Sequence, residues 1–177
     1  MRLFLAVKVA PDVCRELSSW ADEVSLPGKR VAPENLHFTL NFLGEGDPDQ
    51  VASRLHGAFA GMEPFSVSLK GLGAFFSRGA PRVIFVKVDR GYNELIALEK
   101  VISGKLPEFR KDKPFIPHLT VSRLKEGSGA KEEVEKLIET YKKRDFGSFE
   151  VDRVILFSSN LQPAGPVYTV QAQWQLG

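Results

Sequence analysis

His118-Leu119-Thr120-Val121 repeats the pattern of His37-Phe38-Thr39-Leu40, 81 positions apart. Both tetrapeptides lie in apolar runs, residues 35–43 and 115–123, that read as β-strands. Side chains at i and i+2 of a strand share a face. Each copy therefore aims an imidazole and a hydroxyl one way and its apolar residues, Phe38 with Leu40 and Leu119 with Val121, the other way. Two imidazoles and two hydroxyls converging on one cleft suit a phosphate ester.

Outward from these strands the chain repeats itself. Residues 3–9 read as a strand, followed by a helix opened by Pro11 with Val13, Leu17, Trp20, Ala21 and Val24 on one stripe. After the first histidine strand, Asp47 and Pro48 are an N-cap and first-turn pair for a helix presenting Val51, Leu55, Ala58 and Phe59. Residues 65–76 read as a strand with a bend at Gly71 and Gly73. Residues 82–88 then echo residues 2–9, and a helix carries Leu95, Leu98, Val101 and Ile102. The second histidine strand follows, then a helix with Val134, Leu137, Ile138 and Tyr141, and a strand over 149–158 resembling 65–77. Lys8 to Lys87 spans 79 positions; His37 to His118 and Ser77 to Ser158 each span 81. So constant an offset points to an internal duplication, 1–77 and 82–158, with a closing strand over 167–176. The expected fold is α+β and bilobal. Two pseudo-twofold-related lobes, joined by residues 78–81, each turn an antiparallel sheet toward a central cleft, with helices outside. The 177 residues make one such bilobal unit, 1–177.

Composition narrows the function class. The chain is 43% hydrophobic and 26% charged, with 24 basic and 22 acidic residues. A net charge of +2 is compatible with RNA or a small ligand but does not suggest a non-specific nucleic-acid coat. The single cysteine, Cys14, excludes an internal disulfide and a cysteine-based metal site. No stretch approaches a membrane span, and the N-terminal apolar run is too short for a signal peptide. A soluble, cytoplasmic protein with no membrane and no obligate protein partner is expected.

Paired imidazoles have a defined use at phosphorus. Histidine titrates near neutrality. One neutral ring can take a proton from an attacking water while a protonated one gives a proton to the leaving oxygen. Thr39 and Thr120 would donate hydrogen bonds to the non-bridging oxygens. No metal or other cofactor is needed. Arg123 lies five residues after His118, an odd offset that in a flat strand sends it to the opposite face. It reaches the phosphate only if the strand twists, bulges or ends first. Its counterpart in the first half is Phe42.

The two His-x-Thr-hydrophobic motifs, the second within Pro117-His118-Leu119-Thr120-Val121-Ser122-Arg123, resemble those of the two-histidine phosphoesterase superfamily. Within it, Met1-Arg2-Leu3-Phe4-Leu5-Ala6-Val7 and Asn35-Leu36-His37-Phe38-Thr39-Leu40-Asn41-Phe42-Leu43-Gly44 are similar to the bacterial and archaeal RNA 2′,3′-cyclic phosphodiesterases, formerly called 2′-5′ RNA ligases. The resemblance covers essentially the whole chain. It implies metal-free hydrolysis of an RNA-terminal 2′,3′-cyclic phosphate, or of a cyclic nucleotide, to a 2′-phosphate. His37 is then the proton donor, His118 the proton acceptor, and Thr39, Thr120 and Arg123 bind substrate. Two alternatives stand beside it: 2′-5′ RNA ligation as the main role, and a nucleotide-binding module without turnover. Among the remaining residues, His56 reads as a surface position and Cys14 as packing. Phe42 and Phe115 read as core, with stacking on a terminal base as the alternative. Arg110, Lys111 and Lys113 read equally well as RNA contacts or as a solvated loop.

Overall fold

Leu3, Leu5 and Val7 on one face of β1 (Arg2–Lys8), and Phe4 and Ala6 on the other, are all buried. A strand apolar on both faces belongs inside a sheet, covered above and below. The computed structural model, which describes all residues from Met1 to Gly177, places it there. β1 lies between β3 (His37–Glu45) and β8 (Arg153–Gln162), and β9 (Gly165–Gln175) closes that four-stranded sheet. The second sheet runs β2 (Lys29–Arg30), β6 (His118–Arg123), β5 (Ala80–Val88), β4 (Phe65–Ser77), β7 (Asp145–Val151). Every pairing is antiparallel.

Four helices complete the α+β fold: α1 (Pro11–Glu23), α2 (Pro48–Arg54), α3 (Tyr92–Lys105) and α4 (Lys131–Thr140). Pro11 opens α1, and Val13, Cys14, Leu17, Trp20 and Ala21 form its buried stripe. The Asp47 side chain accepts from the Asp49 N–H at 2.9 Å and caps α2. That helix is shorter than its apolar pattern suggests. It ends at Arg54, and the chain turns at Gly57 (φ +70°), while Leu55 and Phe59 still reach the core. His56 is exposed in that turn. No helix is long and apolar enough to cross a membrane.

The halves of the sequence are not the halves of the structure. Residues 78–81, expected as a linker between lobes, form instead the turn of the β4–β5 hairpin and the start of β5. Arg78 (φ +52°) and Gly79 (φ +75°) are its two central residues, between paired Ser77 and Ala80. Positive φ at both positions matches the right-handed twist of adjacent strands, so such a turn joins neighbours in one sheet. β4, from the first repeat, therefore sits against β5 of the second. Symmetrically, β8 pairs with β1. The expected strand over 149–158 is two strands, broken at Asp152, where the chain leaves one sheet for the other. The exchange gives both sheets one shared core of 36 buried residues. Phe4, Ala6, Ile155 and Phe157 form a separate small cluster, with Tyr168 packed against it.

Candidate active site

Both histidine strands carry the same irregularity. In β6, Thr120 faces Phe85 and Ser122 faces Ile84, so Val121 is an extra residue. In β3, Thr39 faces Ala6 and Asn41 faces Leu5, so Leu40 is extra. These are β-bulges, which re-aim the side chains that follow. Two consecutive residues, Leu40 with Asn41 and Val121 with Ser122, are buried in each strand. The next residue, Phe42 or Arg123, is thereby returned to the side of the histidine. The bulge resolves the awkward parity of Arg123. It also corrects Phe42, which is no core residue but is 53% exposed.

The two imidazoles are held alike. His37 Nδ1 lies 2.5 Å from the Asn35 carbonyl oxygen, and His118 Nδ1 lies 2.6 Å from that of Ile116. A carbonyl oxygen only accepts, so each Nδ1 carries the hydrogen. Nε2 is left to accept a proton, or to hold one when the ring is charged. His37 Nε2 lies 2.9 Å from Thr39 Oγ1. The Asn35 side chain donates to the Pro166 carbonyl at 3.1 Å, which ties the turn before His37 to the β8–β9 hairpin.

Each ring also rests on aromatic neighbours. His37 packs against Phe4 (5.1 Å between centroids) and Tyr168 (5.3 Å). His118 packs edge-on against Phe75 (4.8 Å) and Phe85 (5.4 Å). Burial on these apolar floors lowers both imidazole pKa values below the ordinary 6.5, against the opposing pull of the carbonyl bonds. The Arg123 charge lowers both further, and that of His118 acts on His37 as well. The Arg123 guanidinium is thus a cause common to both shifts.

A cavity of about 1090 Å³ has walls that include Thr39, Phe42, His118, Thr120 and Arg123. His37, bonded to Thr39, lines a smaller hollow of about 370 Å³ together with Lys8, Glu34 and Tyr168. All five residues singled out in the sequence thus border these two spaces. Half-buried Phe115 lies on the wall of the larger one. Tyr168, Phe75 and Phe85 were not foreseen, because cross-strand neighbours depend on pairings that periodicity does not reveal.

Gly73 is part of the floor. A Cβ added there would stand 2.5 Å from the Phe85 ring that supports His118. Gly73→Ala is expected to cost about 1–3 kcal/mol, the usual range for overpacking. It should also lower turnover by pushing Phe85 toward the imidazole. Thermal unfolding and kcat, measured together, check both effects.

The sequence pattern described as the 2′-5′ RNA ligase superfamily matches residues 9–162. The chain belongs to that superfamily. A Methanocaldococcus jannaschii member named RNA 2′,3′-cyclic phosphodiesterase is 35% identical, the match covering 98% of this chain and all of the relative. An Archaeoglobus fulgidus superfamily relative of the same name is 38% identical over 95% of this chain and 96% of its own. The crystal structure of a Thermus thermophilus protein superposes with a TM-score of 0.80 at 31% identity, covering 99% of this chain and 98% of that one. The LigT structure from Escherichia coli with ATP bound gives 0.78 at 26% identity, covering 99% and 97%.

Proposed function

We propose that this protein is an enzyme that hydrolyses the 2′,3′-cyclic phosphate at an RNA 3′ end to a 2′-phosphate, through paired histidine acid–base catalysis and without a metal. The observation that carries the proposal is the matched pair of Nδ1–H to carbonyl bonds, which leaves two Nε2 atoms for proton transfer, each with a threonine two residues on. The relatives named RNA 2′,3′-cyclic phosphodiesterase support the substrate.

In this mechanism a water oxygen attacks phosphorus and gives its proton to His118 Nε2. The phosphorus–O3′ bond breaks on the far side, and O3′ takes a proton from His37 Nε2. Thr39, Thr120 and Arg123 bind the non-bridging oxygens, where negative charge sits in the transition state. The assignment of His37 as donor follows the superfamily resemblance. With a ribose 5′ hydroxyl in place of water as the attacking group, the same step would form a phosphorus–O5′ bond, break the phosphorus–O3′ bond and join two ends through a 2′,5′ linkage, the reaction in the superfamily's description. Incubation with a 2′,3′-cyclic nucleotide in EDTA tests the proposal. A 2′-phosphate product supports it. A 3′-phosphate would reverse the leaving group, and joined ends without hydrolysis would favour ligation.

The pH dependence follows from the same burial. Both imidazole pKa values lie below 6.5 in the free protein, so near neutrality both rings lean toward the neutral form. Turnover needs one of them protonated. The kcat/KM profile is therefore expected to be a bell whose maximum lies on the acid side of 6.5, falling as pH rises through neutrality. A profile flat from acid to alkaline pH would remove the paired-imidazole mechanism.

A further inference from the structure

The large cavity is roomier than a cyclic phosphate and its ribose require. At about 1090 Å³ it stands at the top of the range that takes a whole small molecule, roughly 300–1,000 Å³. It runs from His118 and Arg123 past residues 40–42 of β3 to Lys100 near the end of α3 and to the segment 110–116.

A break in the pseudo-symmetry opens it. β2 covers one edge of β6, with Lys29 opposite Arg123 and Arg30 opposite Ser122. The segment 81 residues later, beginning at Arg110, does not pair with β3, which remains the edge of its sheet. Lys111 instead places its Nζ 4.8 Å from the centre of the exposed Phe42 ring.

Charge is gathered in the same place. Lys100, Arg110, Lys111, Lys113 and Arg123 line the cavity against two carboxylates, Glu99 and Asp112. None of the five cations forms an ion pair. The surplus of three positive charges exceeds the +2 of the whole chain, so the rest of the molecule is close to balanced. A set of free cations beside an exposed aromatic ring is the chemistry that grips single-stranded nucleic acid without reading its sequence.

Building on the cyclic phosphodiesterase proposal, we infer that this groove is a track for the RNA on the 5′ side of the cyclic phosphate. Lys100, Arg110, Lys111 and Lys113 neutralise its phosphates, and Phe42 offers a stacking face once Lys111 moves to the backbone. A strand whose 3′ end sits at the histidines continues only in the 5′ direction, so the track favours polynucleotide ends over cyclic mononucleotides.

The test compares kcat/KM on a 2′,3′-cyclic mononucleotide with that on a short oligouridylate ending in the same cyclic phosphate. Wild type is measured beside the combined Lys100→Gln, Arg110→Gln, Lys111→Gln, Lys113→Gln variant. The readout is the ratio of the two substrates. Wild type should favour the oligonucleotide at least tenfold at low salt, and the variant should lose most of that preference. The logarithmic salt slope on the oligonucleotide should become shallower by about 2–3, at roughly 0.7 per phosphate contact on a single strand. Equal losses on both substrates, or no preference in wild type, would overturn the track. Should neither substrate turn over, the phosphodiesterase proposal fails by itself. Fluorescence anisotropy with a hydroxyl-ended oligouridylate then decides the track, weaker binding by the variant supporting it and equal binding refuting it.

Discussion

His118→Asn and His37→Asn are each expected to lower kcat on a 2′,3′-cyclic nucleotide by about 10²–10⁴, the worth of one positioned acid or base. Circular dichroism and thermal unfolding should stay near wild type, because both rings lie outside the 36-residue core, at the border of the cavities. The two substitutions together should cost far less than the product of the single losses, since groups that act as a unit are not additive. The roles separate with a 3′-thio substrate, whose leaving sulfur needs no proton. The donor variant should recover much of its loss on that substrate and the base variant should not. By the proposed assignment the recovered variant is His37→Asn. Recovery of His118→Asn instead would exchange the two roles, and a loss below tenfold in either single variant would remove that residue from the chemistry.

Much of the site was legible because the duplication labels it. A single His-x-Thr on a strand is weak evidence. His37 and His118 at a matched offset, each with its threonine, identify a face, and the structure puts Thr39, His118 and Thr120 on one cavity. Arg123 was legible as a candidate but not as a neighbour of His118, because one extra residue, Val121, inverts the parity and leaves no mark in the composition of the strand. Phe42 was misplaced for the same reason. The exchange of β4 and β8 was hidden differently. The burial pattern of β4 shows that it is covered, yet says nothing about which strand lies beside it. The two-residue turn at Arg78 and Gly79 was the available signal, since it favours adjacent strands over separate lobes. Tyr168 is set against His37 through the pairing of β8 with β9, a register no local pattern specifies.

Arg123→Ala should lower kcat by about 10²–10³, as loss of one charge-stabilising donor does, and raise KM at least as clearly. It should also move the pH profile. Burial is the main cause of the low imidazole pKa values, and the Arg123 charge adds to it at both His37 and His118. Removing a positive charge makes each ring easier to protonate, so both pKa values rise toward 6.5 and both limbs of the bell shift to higher pH. Arg123→Lys separates the two contributions. It keeps the charge, so the limbs should stay where they are in wild type. It loses the planar fork that binds two phosphate oxygens at once, so kcat/KM should still fall. Limbs that move in neither variant, with KM unchanged in Arg123→Ala, would mean that the bulge at Val121 turns the guanidinium toward solvent and that the two threonines bind the phosphate without it.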